Sequence, residues 1–203
     1  LYNMPEKKVL AKGLCEKVGE ASSLLTHRRG DEKFEFAQPI PNHKVGIELI
    51  LSCLTNAEKG GVLSNVREIS AVGHRVVHGG ESYSNAMRID QEVLSCIEDC
   101  SDLAPLPNPP NPIGIQECRN ALPGVPMVAV FDTAFHQTLP RKAFLYALPY
   151  ECYESYRIRR YGFHGTSHAY ITHRAADLLN KPVSEVNLIT CHLGNGCSIT
   201  AVR

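Results

Sequence analysis

The sequence predicts an α/β fold, and three observations carry that expectation. Met127-Val128-Ala129-Val130 is a short apolar run with the length of a buried central strand. Strand-like segments alternate with amphipathic segments opened by capping residues. Charged residues, histidines and glycines gather where the strand-like segments end, and open α/β sheets collect ligands at the carboxyl ends of their strands.

In chain order, residues 8–11 and 15–18 read as short paired strands about Gly13, and residues 30–33 as a charged turn. Asn42, after Pro41, caps a helix reaching about Thr55. Val45, Ile47, Leu49, Ile50, Cys53 and Leu54 supply its buried positions, and Lys59-Gly60-Gly61 breaks the pattern. Residues 69–77 are rich in β-branched side chains and read as a buried strand, closed by Gly79-Gly80. Asp90 caps a helix to about Cys100. A proline-rich loop over 105–112 then hands over to a helix with Asn111 as N-cap and Pro112 at its first position. Residues 126–131 form the central strand, with Asp132 at its carboxyl end. Thr166 and Ser167 are good caps for a helix over 169–179. Residues 187–192, a tight Gly194-Asn195-Gly196 turn and residues 198–202 make a hairpin. The chain has no internal repeat and no low-complexity segment.

A chain of 203 residues can bury a sizeable core, and 43% hydrophobic with 21% charged residues is ordinary for a globular protein. Lys+Arg and Asp+Glu both count 21, so no net charge points to nucleic acid or an anionic membrane as a partner. No apolar run approaches the roughly 20 residues of a membrane span, and no signal-peptide pattern opens the chain; a cytoplasmic protein is expected. The eight cysteines are scattered without a small-scaffold spacing and are expected to be reduced. Cys96 and Cys100 lie four apart without a second ligand pair, which argues against a metal site. Leu1 is not a start methionine, and the last strand runs to the terminus. The expectation is a piece of a longer protein, cut at both ends.

Four polar clusters carry the candidate chemistry. In Gly73-His74-Arg75-Val76-Val77-His78-Gly79-Gly80, an arginine at a strand end suits a carboxylate or phosphate, gripped through two parallel hydrogen bonds; a structural ion pair is the alternative. Asp132 ends the apolar strand, as a functional acid or as a helix cap. Tyr161-Gly162-Phe163-His164-Gly165-Thr166-Ser167-His168 brings His164 to a turn ahead of a helix N-terminus, a place that suits an anion. Cys191-His192-Leu193-Gly194-Asn195-Gly196-Cys197-Ser198 is either a plain hairpin or a turn whose amides face phosphate. There is no Gly-x-x-x-x-Gly-Lys-Ser/Thr loop. The pairs His74/His78 and His164/His168 are spaced by four, but the first lies in a strand and the second straddles a glycine turn, so zinc chemistry is not expected. A non-catalytic nucleotide-binding module remains the other class. His168, past the turn, reads as a helix-start or packing residue.

Together these clusters resemble the acetate kinase family of ATP:acetate phosphotransferases. The segments 73–80, 131–140, 161–168 and 192–198 are similar to that family's motifs, in its order. So are Leu103-Ala104-Pro105-Leu106, Asn108-Pro109-Pro110-Asn111 and Ala147-Leu148-Pro149-Tyr150-Glu151. The resemblance runs across the whole chain, and propionate kinases are closely similar.

What the resemblance implies is an actin-like, sugar-kinase-like fold of two domains built on the ribonuclease-H-like unit, incomplete here, with the active site in the cleft. Residues 1–133 would form a substrate-side domain lacking its first strand, and 134–203 the beginning of a nucleotide-side domain. By match to the family, Arg75 holds the substrate carboxylate, and Val77, Leu106 and Phe163 line the pocket for its methyl group. Asp132 is the catalytic acid group, His164 stabilises the transition state, and His192, Leu193, Gly194, Asn195 and Gly196 form the ATP phosphate turn. Mg²⁺ with ATP is the implied cofactor, with its ligands outside this chain. ATP/ADP and acetate/acetyl phosphate are the implied partners, and a homodimer the implied assembly. The family's Asn-x-Gly-Ser-Ser-Ser hairpin would precede Leu1, and its second catalytic arginine, adenosine motifs and late magnesium-binding Glu would follow Arg203. The 203 residues alone are therefore expected to have little or no activity. Pro107 stands where the family usually has His. Acetate is ionised at neutral pH and needs no strong general base, so a positioning role, or indirect support of Mg²⁺ and of a neighbouring cationic group, is expected for Asp132.

Overall fold

The computed structural model describes all 203 residues. Its strands are β1 (Tyr2–Asn3), β2 (Lys8–Val9), β3 (Lys12–Glu16), β4 (Leu24–Arg29), β5 (Glu32–Ala37), β6 (Val72–Val76), β7 (Met87–Arg88), β8 (Met127–Phe131), β9 (Leu188–Leu193) and β10 (Cys197–Val202). The helices are α1 (His43–Thr55), α2 (Gln91–Asp99), α3 (Pro110–Ala121), α4 (Arg141–Phe144), α5 (Glu151–Tyr156) and α6 (Gly165–Leu179). They fall into two compact units. Leu1–Val72 with Ile113–Met127 make the first, and Gly73–Pro112 with Val128–Arg203 make the second. Each is discontinuous in sequence, and the expected division after residue 133 falls inside the second.

In the first unit, β3, β4 and β5 form an antiparallel sheet in that order. The sequence reading placed a turn at Gly13. Instead Gly13 lies within β3 opposite His27, where a Cβ would collide with the Thr26 carbonyl oxygen, so the glycine serves a close cross-strand approach. Residues 8–9 pair with 2–3 rather than with the segment after Gly13. The charged turn at Gly30 closes a hairpin whose flanking strands were unexpected: Arg28, Arg29, Glu32, Lys33 and Glu35 hide the alternation that buries Leu25 and His27. Leu25, Ile40 and Cys53 form the core, packed by Cys15, Val18, Phe36, Val45 and Leu49. Asn42 caps α1 as expected, its Oδ1 accepting the Val45 N–H at 3.0 Å.

In the second unit, β8 is the centre of a three-stranded sheet, flanked by β6 and by antiparallel β7. Val72 N–H donates to the Pro126 carbonyl and Asp132 N–H to the Val76 carbonyl, so β6 and β8 run parallel. Their carboxyl ends deliver Arg75 and Asp132 to the same edge. Asp90 caps α2, its Oδ1 accepting the Val93 N–H at 2.9 Å. α3, most of which belongs to the first unit, starts at Pro110, two residues before the expected start, because Asn111 turns back to bond the carbonyls of Pro107 and Asn108 instead of capping forward. α6 starts at Gly165, with His164 in left-handed conformation (φ 56°) at the cap position. Thr166 and Ser167 are therefore inside the helix. Gly165 N–H is satisfied by the Asp132 carbonyl at 2.8 Å, which removes the need for a capping side chain there.

The hairpin β9–β10 pairs His192 with Ser198 and Thr190 with Thr200 on one face. That polar face lies against α6, through His168 to Thr190 and Ser167 to His192. The other face carries Ile189, Leu193 and Ile199, all exposed.

Candidate active site

The site grows from the adjoining ends of β6 and β8. Asp132 is 2% exposed and accepts two hydrogen bonds from Arg75, from Nε at 3.1 Å and from Nη2 at 2.6 Å. Arg75 reaches out from there, its side chain 65% exposed. The hydrogen bond and charge of Asp132 raise the guanidinium pKa further, with burial opposing. Around the pair the backbone is tightly held. Thr133, fully buried, accepts the Gly79 N–H through Oγ1, and Asn108 accepts the His78 N–H while donating to the Ile97 carbonyl. Asn108 thus ties the proline-rich loop to the end of β6.

Gly165 is what brings His164 to Asp132. A side chain at Gly165 would collide with the Asp132 carbonyl oxygen, so only glycine lets the start of α6 abut the end of β8. His164 then stacks on His192, ring centroids 4.1 Å apart and 14° from parallel. Its Nδ1 lies 2.8 Å from Ser198 Oγ. Desolvation and the neighbouring His192 lower its pKa, with Arg75 adding to the effect and Asp132 opposing it. His164 is therefore a neutral imidazole at neutral pH. It can donate one hydrogen bond or accept one at its outer nitrogen, but it carries no charge.

His168 is more than a packing residue. It is 1% exposed and joins Thr190 Oγ1 through Nδ1 at 2.7 Å and Ser198 Oγ through Nε2 at 2.8 Å. His136 donates from Nε2 to the Phe163 carbonyl at 3.0 Å and fixes that turn. His78 accepts the Gly80 N–H on Nδ1 and sits edge-on to Tyr161 and Phe163. Burial, helped by Arg157 and Arg159, drops its pKa to about 4. Ser198, Thr190, Asn108 and Thr133 were missed as site residues. Ser198 and Thr190 had a readable signal, because period-two alternation puts them on the face of His192.

The expected methyl pocket is only partly assembled. Phe163 covers His78 and is 38% exposed, Val77 is half-buried, and Leu106 stands 89% exposed in its loop. In the 192–196 turn, Leu193, Gly194, Asn195 and Gly196 are exposed, and Gly194 N–H is used within the turn by the Gly196 carbonyl at 3.1 Å. Beside His164 and Ser198 opens a cleft of about 650 Å³, walled by Tyr146, Tyr156, Arg157 and Tyr161. Arg159 beneath it is buried, paired with Glu81 and laid 3.7 Å from the centre of the Phe144 ring.

A model of the acetokinase family matches residues 1–203. The acetate kinase of Caldanaerobacter subterraneus subsp. tengcongensis is 56% identical over 204 residues, which cover 100% of this chain and 51% of that protein. The crystal structure of Porphyromonas gingivalis acetate kinase superposes with a TM-score of 0.93 at 44% identity, covering 100% of this chain and 51% of that one. A propionate kinase from Francisella tularensis subsp. tularensis superposes at 0.91 and 39% identity, covering 100% and 50%. The chain spans about half the length of the curated relatives it matches. The mixed α/β arrangement is the fold of these kinases, in the incomplete actin-like form that the motifs implied.

Proposed function

Because the chain belongs to the acetokinase family, we propose that the complete protein is an acetate kinase, moving the γ-phosphoryl group of ATP reversibly to acetate to give acetyl phosphate and ADP. One observation carries the reading. A guanidinium has two edges able to bind a carboxylate, and Asp132 occupies the Nε–Nη2 edge of Arg75. The Nη1–Nη2 edge remains for a substrate carboxylate. Asp132 then acts by holding that edge in place and balancing its charge, without taking a proton from a substrate that has none to lose. Arg75 neutralises one anion as it meets another, and His164, neutral and close by, offers a hydrogen bond to the equatorial oxygens of the moving phosphoryl. Val77, Leu106 and Phe163 border the methyl group, and the turn from His192 to Gly196 borders the ATP phosphates.

The family implies Mg²⁺ with ATP. Both Asp132 oxygens face Arg75, so that carboxylate does not hold the ion directly, and its ligands are expected outside these 203 residues. In the same reading, residues 1–133 belong to the substrate side of the complete protein and 134–203 begin its nucleotide side. A cytoplasmic homodimer completes it, supported by family resemblance and tested by sizing the complete protein. No helix is long and apolar enough to cross a membrane.

The test is acetate-dependent ADP formation by the complete protein in a coupled assay. Turnover is expected there and not from the 203 residues alone. Arg75→Ala is expected to raise the KM for acetate and lower kcat; an unchanged KM would make Arg75 merely structural. ATP binding without turnover would favour a non-catalytic module. Propionate is the second reading, favoured by the propionate kinase neighbour and by the exposure of Leu106. One methylene discriminates by only about 10–200-fold in an apolar pocket, so the ratio of kcat/KM values decides it.

A further inference from the structure

The hydroxyl of Ser198 has one proton and two histidine neighbours. His164 Nδ1 and His168 Nε2 each lie 2.8 Å from its Oγ. A hydroxyl donates once and accepts at two lone pairs. With both rings neutral, donating to one imidazole and accepting from the other satisfies both contacts and the hydroxyl proton, whereas accepting from both leaves that proton without a protein acceptor. Burial leads the causes that lower the pKa of both histidines, so both are neutral at neutral pH.

Two orderings satisfy the chain. In the first, Thr190 O–H donates to His168 Nδ1, His168 Nε2–H donates to Ser198, and Ser198 O–H donates to His164 Nδ1. His164 then carries its proton on Nε2, the nitrogen left over. In the second, every proton is reversed. Thr190 O–H turns to the Thr200 carbonyl, and His164 Nε2 becomes a bare acceptor. Both orderings use the contacts of 2.7, 2.8 and 2.8 Å, and the second adds one Thr190 donation at 3.4 Å. A hydrogen bond at that length adds little, whereas the first ordering places both imidazole protons on Nε2, the intrinsically preferred tautomer of a neutral histidine, so the first ordering is favoured. The free edge is also kept open. A Cβ at Gly196 would sit 3.1 Å from His164 Nε2, and glycine leaves that space empty beside the turn.

We propose that Ser198, ordered by Thr190 through His168, is a positioning residue that fixes the Nε2–H tautomer of His164 and so aims a single neutral donor into the site. The catalytic part of this inference rests on the reading of His164 as the group that meets the transferring phosphoryl; the tautomer itself does not. An anion at Nε2 reinforces the same ordering, because the reversed one would set a lone pair against it. The stacked His192, held by Ser167 Oγ at 3.0 Å, opposes a positive charge on His164 and helps keep the donor neutral.

The test uses the complete protein and two readouts. Imidazole ¹⁵N spectra, assigned with His164→Gln, should show Nε2 protonated and Nδ1 as the bare acceptor in the wild type. Ser198→Ala should mix the two forms and lower kcat by at least about 30-fold, approaching the ~10²–10³ cost of losing one aimed donor. The acetate KM should stay within about twofold, and Ser198→Thr should restore most of the rate. Thr190→Val, which keeps the shape and removes the first donor, should shift the tautomer ratio and lower kcat less, about 3–10-fold. It keeps the test alive if Ser198→Ala does not fold. Nδ1–H on His164 in the wild type, or Ser198→Ala turning over within about threefold of it, overturns the relay. A fixed Nε2–H in a protein without acetate-dependent turnover upholds the relay and sinks the phosphoryl-transfer reading instead.

Discussion

Both compact units anchor a histidine, and they use it in opposite ways. In the first unit His27 is 5% exposed and donates from Nε2 to the Gly60 carbonyl at 3.0 Å, beside Phe34. Its polar edge is turned inward and spent on a loop. In the second unit His164 is anchored through Nδ1 and keeps Nε2 toward the open face at Gly196. Anchoring of a histidine therefore does not mark a site; the direction of its uncommitted nitrogen does. The same contrast separates the ion pairs. Arg159 is buried under aromatic rings and paired with Glu81, whereas Arg75 has its acid buried and its own guanidinium exposed.

The sharpest break in that contrast is Asp132→Asn in the complete protein. The amide keeps one acceptor, but its NH₂ would face a guanidinium donor, and Arg75 loses its counterion. A fall in kcat of about 10³-fold is expected, about 4 kcal/mol of barrier. Turnover retained within about tenfold would show that the buried acid is only structural, like Glu81 beneath Arg159.

His78 gives the next largest effect, on stability. Its pKa lies at about 4 in the fold, against about 6.5 unfolded. Between those values the unfolded chain binds more protons. Stability is thus full above about pH 6.5 and falls as the pH drops through that window toward 4, by about 3 kcal/mol in all. The cause is geometric as well as dielectric, because protonating Nδ1 would break the bond from Gly80 N–H. Urea unfolding at pH 7 and pH 4.5 should show a markedly smaller loss in His78→Gln than in the wild type; equal losses would remove His78 from the buried-neutral class.

Much of this architecture was legible from the sequence. The strand before Asp132, the helix capped by Asn42, the helix capped by Asp90 and the final hairpin all follow from runs and caps that act locally. What stayed hidden depends on contacts made at a distance. β4 and β5 are amphipathic strands whose charged residues lie next to their buried ones, so composition showed only the charged turn between them. Gly13 looked like a corner because the Thr26 carbonyl that excludes its side chain is 13 residues away. The start of α6 was misplaced because its first amide is satisfied by Asp132, not by a neighbour in sequence. The candidate residues were read from motifs, whereas the pairing of Arg75 with Asp132 and the sharing of Ser198 between two histidines needed the fold.

Two middle-sized predictions set structure against site. Gly165→Ala drives a methyl into the Asp132 carbonyl, and neither backbone can yield cheaply. A loss of about 2 kcal/mol in stability, together with a fall in kcat, is expected from chemical denaturation and steady-state assays. His27→Phe keeps an aromatic ring, somewhat larger than imidazole, and leaves the Gly60 carbonyl without its donor. The expected cost is about 1–2 kcal/mol of stability, with turnover per folded molecule unchanged. A changed kcat in His27→Phe would blur the distinction between the units.

Gly196→Ala is the smallest and most discriminating change. Gly196 does not sit at positive φ, so alanine meets no backbone strain there, and its Cβ lies in exposed hairpin. Stability should move by less than about 0.5 kcal/mol, as for other surface substitutions. The methyl nevertheless enters the space 3.1 Å from His164 Nε2, the edge that the relay leaves free. Whatever approaches that nitrogen must then stand off by a few tenths of an ångström. A kcat lowered about 3–10-fold with an unchanged unfolding midpoint is the expected signature, and it is the inverse of His27→Phe. If both kcat and stability are unmoved, the open edge of His164 faces nothing that the reaction uses. The two histidines would then differ in orientation without differing in purpose.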